Sequence, residues 1–282
     1  MKTASIIAVL LGGLLLTSLL AAPVKLKVAS YNVRTNSPRD LPNNSWNKRA
    51  PRCLELLKAE KFDIFGTQEA QTPHIKTITS IGYKVIGQPR DNTKTSEYSA
   101  IFYDPEVLEL QKTETFWLSE TPTVSGSKSW NSACPRIFTV GYFTHKASGK
   151  KFVFVNTHLD HRSQAARENG VKMIIDYLKK LAPGCPCILT GDFNARPDNN
   201  VYKIVTTFMA DARYVSEKTL PGAKQTFHGY QADPAKRRLS VPIDYIFVND
   251  NAVKVKSFRV IDDFKNGFAS SDHFPVVAEV TL

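Results

Sequence analysis

Apolar residues occur along this chain in short runs separated by polar loops. The runs are rich in Val, Ile, Phe and Tyr, and they either alternate with polar residues or are continuous, which is typical of strands. We therefore predict strands at Leu26–Val33, Asp63–Glu69, Tyr83–Ile86, Ala100–Tyr103, Val107–Leu118, Ile137–Phe143, Phe152–Val155, Cys187–Thr190, Ile243–Val248, Val253–Val260 and Val276–Val280.

Three further segments have helical rather than strand spacing. Apolar residues repeat at three and four positions in Gln164–Leu181, and Asn47–Glu60 carries an apolar face of leucines. A shorter helix is predicted at Asn199–Met209. No internal repeat or linker divides the chain, so strands with helices between them predict one α/β domain of two stacked sheets flanked by helices.

The N-terminus has the pattern of a secretory signal peptide. Lys2 precedes an apolar run from Ile6 to Leu20, and small residues follow at Ala21-Ala22. We predict cleavage after residue 22, a mature domain at residues 23–282 and a secreted or periplasmic location. A retained membrane anchor is the alternative, but the run is short for a span. After cleavage we expect no integral membrane association.

The net charge is the bulk property that bears on partners. Residues 1–22 contain Lys2 and no acid, so their removal lowers the formal charge from +11 to +10. A basic surface favours polyanionic partners such as nucleic acid, although solubility alone would also explain it.

Four cysteines in an exported chain permit two disulfides. Cys185 and Cys187 flank Pro186, and they are expected to pair with the distant Cys53 and Cys134 rather than with each other. Buried free thiols remain open as an alternative. A zinc site has weaker support, because no second pair of cysteines or fitting histidine stands nearby.

An acid, an amide or a histidine adjoins or lies on six of the predicted strands. The clearest case is Asp192 and Asn194, which follow the apolar run at Cys187–Thr190 and are two residues apart, as required to face one side of a strand. Comparable residues lie at the other strands, namely Asn32, Glu69, His158, Asp244 and the Asp272-His273 pair. Such repetition indicates a catalytic site assembled from several strand ends.

The motifs around these residues resemble the endonuclease/exonuclease/phosphatase superfamily, which includes deoxyribonuclease I. They occur in the order YNVR, QEA, NTHL, TGDFN, IDYIFV and SDHFP, from Tyr31 to Pro275. The resemblance implies a four-layer sandwich of two stacked mixed β-sheets between helices. It also implies hydrolysis of a phosphate ester by water with a divalent cation, Mg²⁺, or else Mn²⁺ or Ca²⁺. A monomer is expected.

Additional stretches resemble a branch of secreted bacterial proteins without an assigned substrate. They include Asn44-Ser45-Trp46 and Ser96-Glu97-Tyr98. The segment Gln88–Thr95 lacks the glycines that this branch carries before the Glu, so the loop beside Glu97 is expected to differ in shape.

The resemblance assigns roles to individual residues. It makes Glu69 and Asp272 metal ligands, with Asn32 beside them as a ligand or a neighbour. His273 would be the base or the transition-state stabiliser, oriented by Asp244. The phosphate would lie between these groups and His158, which Glu97 would orient. Asp192 would align the water or assist the leaving group, Asn194 would hold a phosphoryl oxygen, and Arg136 and Tyr98 would contact substrate.

The substrate itself is left open by the sequence. A nuclease is the narrower expectation, and a sphingomyelinase-like enzyme, a sugar or nucleotide phosphatase, or a non-catalytic binding protein are alternatives. A membrane-docking hairpin at Phe116-Trp117 would suit a sphingomyelinase, but that segment is predicted to be strand, and Trp46 and Trp117 to be core. The loop Tyr214–Val241 carries basic residues that would face phosphate or solvent, among them Lys224, His228, Lys236, Arg237 and Arg238.

Overall fold

The computed structural model describes residues 23–38, 40 and 42–282. The predicted signal peptide, residues 1–22, lies outside this range, so its cleavage and the secreted or periplasmic location stay predictions. Within the described part of the chain, no helix has both the length and the apolar character needed to cross a bilayer.

Twelve strands form two six-stranded sheets in the described residues. Their bounds are β1 Lys25–Asn32, β2 Ile64–Ala70, β3 Lys84–Ile86, β4 Tyr98–Tyr103, β5 Leu108–Trp117, β6 Ile137–His145, β7 Lys151–His158, β8 Cys187–Asp192, β9 Ala210–Asp211, β10 Asp244–Val248, β11 Lys254–Val260 and β12 Val276–Thr281. The strand orders are β11-β12-β1-β2-β4-β3 and β5-β6-β7-β8-β10-β9. Both sheets are mixed, because β1 and β2 are parallel, as are β7 and β8, while the other pairs are antiparallel.

Helices accompany both sheets. Their bounds are α1 Trp46–Glu60, α2 Thr72–Thr79, α3 Gln164–Leu178, α4 Asn200–Thr206 and α5 Ala212–Val215. The three predicted helices are confirmed with small shifts at their ends, and Ser163 begins α3 by accepting a hydrogen bond from Ala166 N. The sequence analysis missed α2 and α5, whose short lengths leave too few turns to establish a helical period, and the two-residue β9.

The core is divided into three apolar layers, which confirms the predicted four-layer sandwich. Alternate residues of β2 illustrate it, since Ile64 faces the second sheet and Phe65 packs toward Leu57 of α1. On the far side, Ile174 of α3 packs against Leu189 of β8. Each sheet is therefore covered by a helix on one face and by the other sheet on the opposite face.

The two sheets are also joined by buried amides. Asn156 of β7 donates from Nδ2 to the carbonyl oxygens of Thr67 at 2.8 Å and Ala100 at 2.9 Å, both in the first sheet. Its Oδ1 accepts a hydrogen bond of 2.7 Å from Gln68 Nε2. These bonds fix the position of β7 relative to β2, next to the strand ends that carry the candidate catalytic residues.

The cysteines and tryptophans clarify two open points of the sequence analysis. All four cysteines are free thiols in the structure, with Cys53 and Cys187 buried. The structure therefore agrees with the alternative of free thiols and not with the expected two disulfides. Trp46 and Trp117 are buried, as predicted, and Trp117 Nε1 donates to the Arg90 carbonyl oxygen at 2.7 Å.

Candidate active site

Three neighbouring strands of the second sheet bring an acid or a histidine to the same level. His158 at the end of β7 is paired in register with Asp192 at the end of β8, and Asp192 is paired with Asp244 at the start of β10. Because neighbouring strands lie about 5 Å apart, this register alone places the three side chains in one cluster.

The first sheet contributes Asn32 and Glu69 from the ends of β1 and β2. Asn32 Nδ2 donates to Glu69 Oε1 at 3.1 Å and, across the gap between the sheets, to Asp192 Oδ2 at 3.0 Å. Glu69 lies where the pairing of β2 with β4 shifts register between Thr67 and Ala70, and its φ is +61°. A non-glycine residue in this region indicates backbone strain held by its surroundings, which is common at functional sites.

Asp192 is the central side chain of the cluster. Besides Asn32, its Oδ2 lies 3.6 Å from His158 Nε2 and 3.8 Å from His273 Nε2, while Oδ1 accepts from Asn194 N at 2.9 Å. Burial and then the nearby Asp244 carboxylate raise the pKa of Asp192 to about 7. A carboxylate with such a pKa can accept and release a proton near neutral pH.

Asn194 and His158 form the opposite wall of the cluster. Asn194 has a φ of +46°, and its Nδ2 lies 3.1 Å from His158 Nε2. Burial, followed by the positive charges of Arg136 and Arg90, lowers the pKa of His158 well below its usual value. His158 is therefore neutral at pH 7, and its ring can donate only one hydrogen bond.

His273 forms a buried pair with Asp244. The distance from His273 Nδ1 to Asp244 Oδ2 is 2.9 Å, so the carboxylate orients the ring and leaves Nε2 directed to Asp192. Burial opposes the charged form of His273, but the Asp244, Asp192 and Asp272 carboxylates outweigh it and raise its pKa to about 10. The predicted pairing of these two residues is thus present in the structure.

The charges of the cluster fit a divalent cation. Four buried or nearly buried carboxylates lie together, Glu69, Asp192, Asp244 and Asp272, and the charged groups within 4 Å of them in the described part of the chain are His273 and Arg34. The excess negative charge, offered by oxygen atoms, is the donor chemistry that Mg²⁺ prefers. Ligand atoms of Asp192, Asp244 and His273 lie within 4.8 Å of one another, although His273 Nδ1 is already hydrogen-bonded to Asp244. Of the predicted ligands, Glu69 and Asp272 each lie 3.8 Å from Arg34, and both oxygens of Glu69 accept a hydrogen bond.

One of the predicted roles needs correction, and the structure bears on another. Asn32 was predicted as a ligand or a neighbour of the metal, and in the structure its Oδ1 accepts from Arg34 N at 3.0 Å while Nδ2 donates to Glu69. These contacts agree with the alternative in which Asn32 is a neighbour that supports the predicted ligand Glu69. Glu97 was predicted to orient His158, but its Oε2 instead accepts from Arg90 Nη1 at 2.6 Å, because that guanidinium stands beside it.

Arg136 and Tyr98, the predicted substrate contacts, lie beside His158. Both line a recess whose other lining residues include Arg90 and Glu97. The Arg136 side chain is also positioned by His161, because its Nη2 lies 3.0 Å from His161 Nδ1. The structure therefore places these two residues within reach of a group bound against His158.

Cys134, Asp160 and His161 form a second group with metal-ligand spacing, the kind of zinc site that the sequence supported only weakly. Asp160 Oδ1 accepts from Arg162 N and Ser163 N, and its Oδ2 accepts from Ala133 N at 2.9 Å. Both oxygens are thus used by backbone amides, and the guanidinium of Arg136 opposes a cation there. We therefore interpret this group as one that stabilises the loops around Asp160.

Two of the basic residues of the loop Tyr214–Val241 face the protein interior instead of phosphate or solvent. The Arg237 side chain is only 3% exposed, and its guanidinium lies over the Phe264 and Phe274 rings. His228 is likewise buried and stacks on Phe274. The prediction is therefore wrong for these two, because their stems and rings cover apolar surface, whereas Lys224, Lys236 and Arg238 are exposed.

The comparisons with known proteins show the family of this chain. The family model described as "Endonuclease/Exonuclease/phosphatase family" matches residues 29–273, a range that runs from within β1 to His273. The chain belongs to this family. Its two mixed sheets and flanking helices are the fold found in the solved structures that it resembles.

Two solved bacterial structures are similar to this family member over almost their whole length. The endonuclease/exonuclease/phosphatase from Bacteroides vulgatus is 34% identical with a TM-score of 0.86, and the match covers 92% of this chain and 99% of that one. The mannosyl-6-phosphatase from Bacteroides thetaiotaomicron is 34% identical with a TM-score of 0.83, and the match covers 91% and 100%.

Curated relatives are more distant and much longer. The CCR4-Not complex 3'-5'-exoribonuclease subunit Ccr4 of Debaryomyces hansenii is 22% identical over 297 residues, which cover 84% of this chain and 36% of the yeast protein. This family member thus spans about a third of that relative's length.

Sequence reasoning missed two arginines of the site. Arg34 lies 3.8 Å from both Glu69 and Asp272 through Nη1 and Nε, and it pairs with Asp40 at 2.8 Å. Arg90 lines the recess and donates a hydrogen bond to Glu97. The position of Arg34 beside Asn32 in YNVR was the available signal, whereas nothing in the loop around Arg90 marked it.

Proposed function

We propose that this protein is a metal-dependent phosphomonoesterase acting on a small substrate such as a sugar phosphate, exported to the periplasm or beyond the cell. The observation that carries the proposal is the convergence on Asp192 of Asn32, His158 and His273, three side chains from different strands or loops. The similarity to a mannosyl-6-phosphatase over nearly the full length supports the small phosphomonoester.

Different residues would act on different sides of the phosphoryl group. A water between Asp192 Oδ2 and His273 Nε2, which are 3.8 Å apart, can be oriented by both and can lose its proton to Asp192. Asp244 keeps the ring of His273 in position throughout. On the other side, a bound phosphate would replace the contact between Asn194 Nδ2 and His158 Nε2, and these two groups would then donate hydrogen bonds to phosphoryl oxygens, where negative charge is concentrated.

Glu69 and Asp272 would hold the divalent cation, for which Mg²⁺ is the proposed identity, with Mn²⁺ or Ca²⁺ as substitutes. When bound, the cation neutralises negative charge on the phosphoryl and leaving oxygens. The chain affects the two carboxylates differently, since burial raises the pKa of Asp272 while that of Glu69 is lowered. Against the opposing effect of burial, the hydrogen bond from Thr35 N and the charges of His273 and Arg34 lower the pKa of Glu69.

A nuclease is the second candidate function. Its support is the formal charge of +11 and the similarity to an exoribonuclease subunit, which is weaker because of the low identity. A sphingomyelinase gains no support, because Phe116-Trp117 lies in β5 and Trp117 is buried. A non-catalytic role is disfavoured by the complete set of acids and histidines.

A panel of substrates at a fixed Mg²⁺ concentration tests the proposal. Residues 23–282 are incubated with mannose 6-phosphate, glucose 6-phosphate, a nucleotide monophosphate, single-stranded RNA, duplex DNA, abasic DNA and sphingomyelin, and released phosphate or cleaved product is measured. We expect at least one sugar phosphate to be hydrolysed with the highest kcat/KM. Cleavage of RNA or DNA without hydrolysis of any monoester would favour the nuclease instead.

A further inference from the structure

The recess beside His158 is lined by a buried arginine with an unused hydrogen-bond donor. Arg136 is only 5% exposed, and within the described part of the chain its Nη1 has no hydrogen-bond partner. Its Nε also makes no hydrogen bond, but it lies 3.8 Å from Asp160 Oδ2, a residue that does not line the recess. A buried donor without a partner costs free energy, of the order of 1–3 kcal/mol for a typical group, and such a donor beside a recess is typical of a side chain that binds a ligand there.

The rest of the recess contributes a second guanidinium in a fixed position. Arg90 donates to Glu97 at 2.6 Å, and its buried Nε makes no hydrogen bond in the described residues but lies 3.8 Å from Asp91 Oδ2. Glu97 is thereby occupied by Arg90. The electrostatic effect of both arginines reaches the catalytic cluster, since after burial they are the largest causes of the lowered pKa of His158.

The recess is small. Its cavity volume is about 10 Å³, which is close to the lower limit for a single water molecule. Arg90, Glu97, Tyr98, Ser99, Arg136 and Ile137 surround it. An oxygen atom of a phosphate or a hydroxyl fits beside His158, but a second nucleoside or a lipid backbone does not.

We propose that the Arg136 recess binds the non-esterified oxygen that distinguishes a phosphomonoester from a phosphodiester. A monoester is a dianion near neutral pH, and its additional charged oxygen gains a charge-assisted hydrogen bond from the Arg136 fork. In a diester this oxygen carries a second organic group, which would lose that bond and meet the recess wall. The proposal rests on the proposed phosphomonoesterase function and names Arg136, assisted by Arg90, as its specificity determinant.

The test compares two esters that share one leaving group, p-nitrophenyl phosphate and methyl p-nitrophenyl phosphate, in the presence of Mg²⁺. For Arg136→Gln we expect kcat/KM for the monoester to fall by about 10²-fold or more, on the scale of a lost charged hydrogen bond in the transition state. For the diester we expect a change of less than about threefold. Lys112→Gln removes an equal charge from an exposed position on β5 and should leave both values unchanged.

Further variants separate binding from folding. Arg136→Ala should regain monoester hydrolysis on addition of guanidinium ion, without an equal gain for the diester, whereas a structural role would give no selective rescue. Arg136→Lys should retain part of the monoester preference. An equal loss for both esters in Arg136→Gln, in protein with an unchanged melting temperature, would overturn the proposal. Absence of monoester hydrolysis by the wild-type protein would instead overturn the phosphomonoesterase function itself.

Discussion

Asp192 and His273 are the residues on which the proposed chemistry depends most. Both are buried, both lie between two other charged groups, and both have a raised pKa. Near pH 7, Asp192 is partly protonated and His273 is charged, so the pair shares protons in the range where an acid–base catalyst is useful. A bound cation would add positive charge and shift both pKa values downward, in favour of ionised Asp192 and neutral His273.

Replacement of either residue should remove most of the turnover without unfolding the protein. We expect His273→Ala and Asp192→Asn each to lower kcat by at least about 10²-fold, the scale of general acid–base groups, in an assay of phosphate release. His145→Ala is the matched control. His145 lies at the end of β6 that is distant from Arg136, and its ring hydrogen-bonds the hydroxyl of the nearby Ser148. Near-normal turnover in both variants would exclude these residues from the mechanism.

At this scale the sequence predicted most of the site but not all of its contacts. Asp192, Asn194, Glu69, His158 and His273 were found because each follows or precedes an apolar run in a recognisable motif. The pairing of Glu97 with Arg90 was missed, because it depends on how the loop before β4 folds back. No local sequence pattern indicates that this loop folds back.

Among the elements, β2 requires a glycine at a close approach of the two sheets. A Cβ at Gly66 would overlap the Asn156 amide and the Thr190 hydroxyl of the second sheet. The same amide holds Gln68, two residues farther along β2, so the close approach at Gly66 also sets the position of the strand end that carries Glu69. The candidate site therefore requires a small residue at position 66.

Gly66→Ala should therefore destabilise the protein. We expect a loss of about 1–3 kcal/mol in the free energy of unfolding, the usual cost of overpacking, measured by urea denaturation. Gly170→Ala is the control, because in α3 the new Cβ would meet only the Leu118 side chain, at 3.1 Å, and alanine favours a helix. Equal stability of Gly66→Ala and the wild-type protein would show that the sheets are not fixed at this contact.

The strands were predicted better than the short elements for a physical reason. A buried strand needs only a run of Val, Ile and Phe, and such runs are visible without knowledge of the neighbours. In contrast, α2 begins at Thr72-Pro73 and holds its N-terminus through Gln71 and His74, which hydrogen-bond each other's backbone amides. Eight residues with this capping do not show a helical period in the sequence.

For the whole molecule, two sheets stacked face to face bring their strand ends to one edge, and the candidate site lies there. Glu69 comes from the first sheet and Asp192 from the second, and Asn32 bridges them. The family resemblance predicted this architecture, whereas the identity of the substrate depends on the loops around the edge. Their conformations are set by contacts between distant segments, such as Arg90 with Trp117.

The dependence of phosphate release on Mg²⁺ tests the central claim that this edge is a metal-dependent phosphoesterase site. Activity of the wild-type protein and Glu69→Gln is measured across a Mg²⁺ titration after treatment with a chelator, with the exposed Glu279→Gln on β12 as control. We predict no activity without metal, full recovery for the wild type and Glu279→Gln, and a requirement for at least about tenfold more Mg²⁺ in Glu69→Gln. Phosphate release that persists in the chelator, or a Glu69→Gln variant with an unchanged titration, would contradict the account.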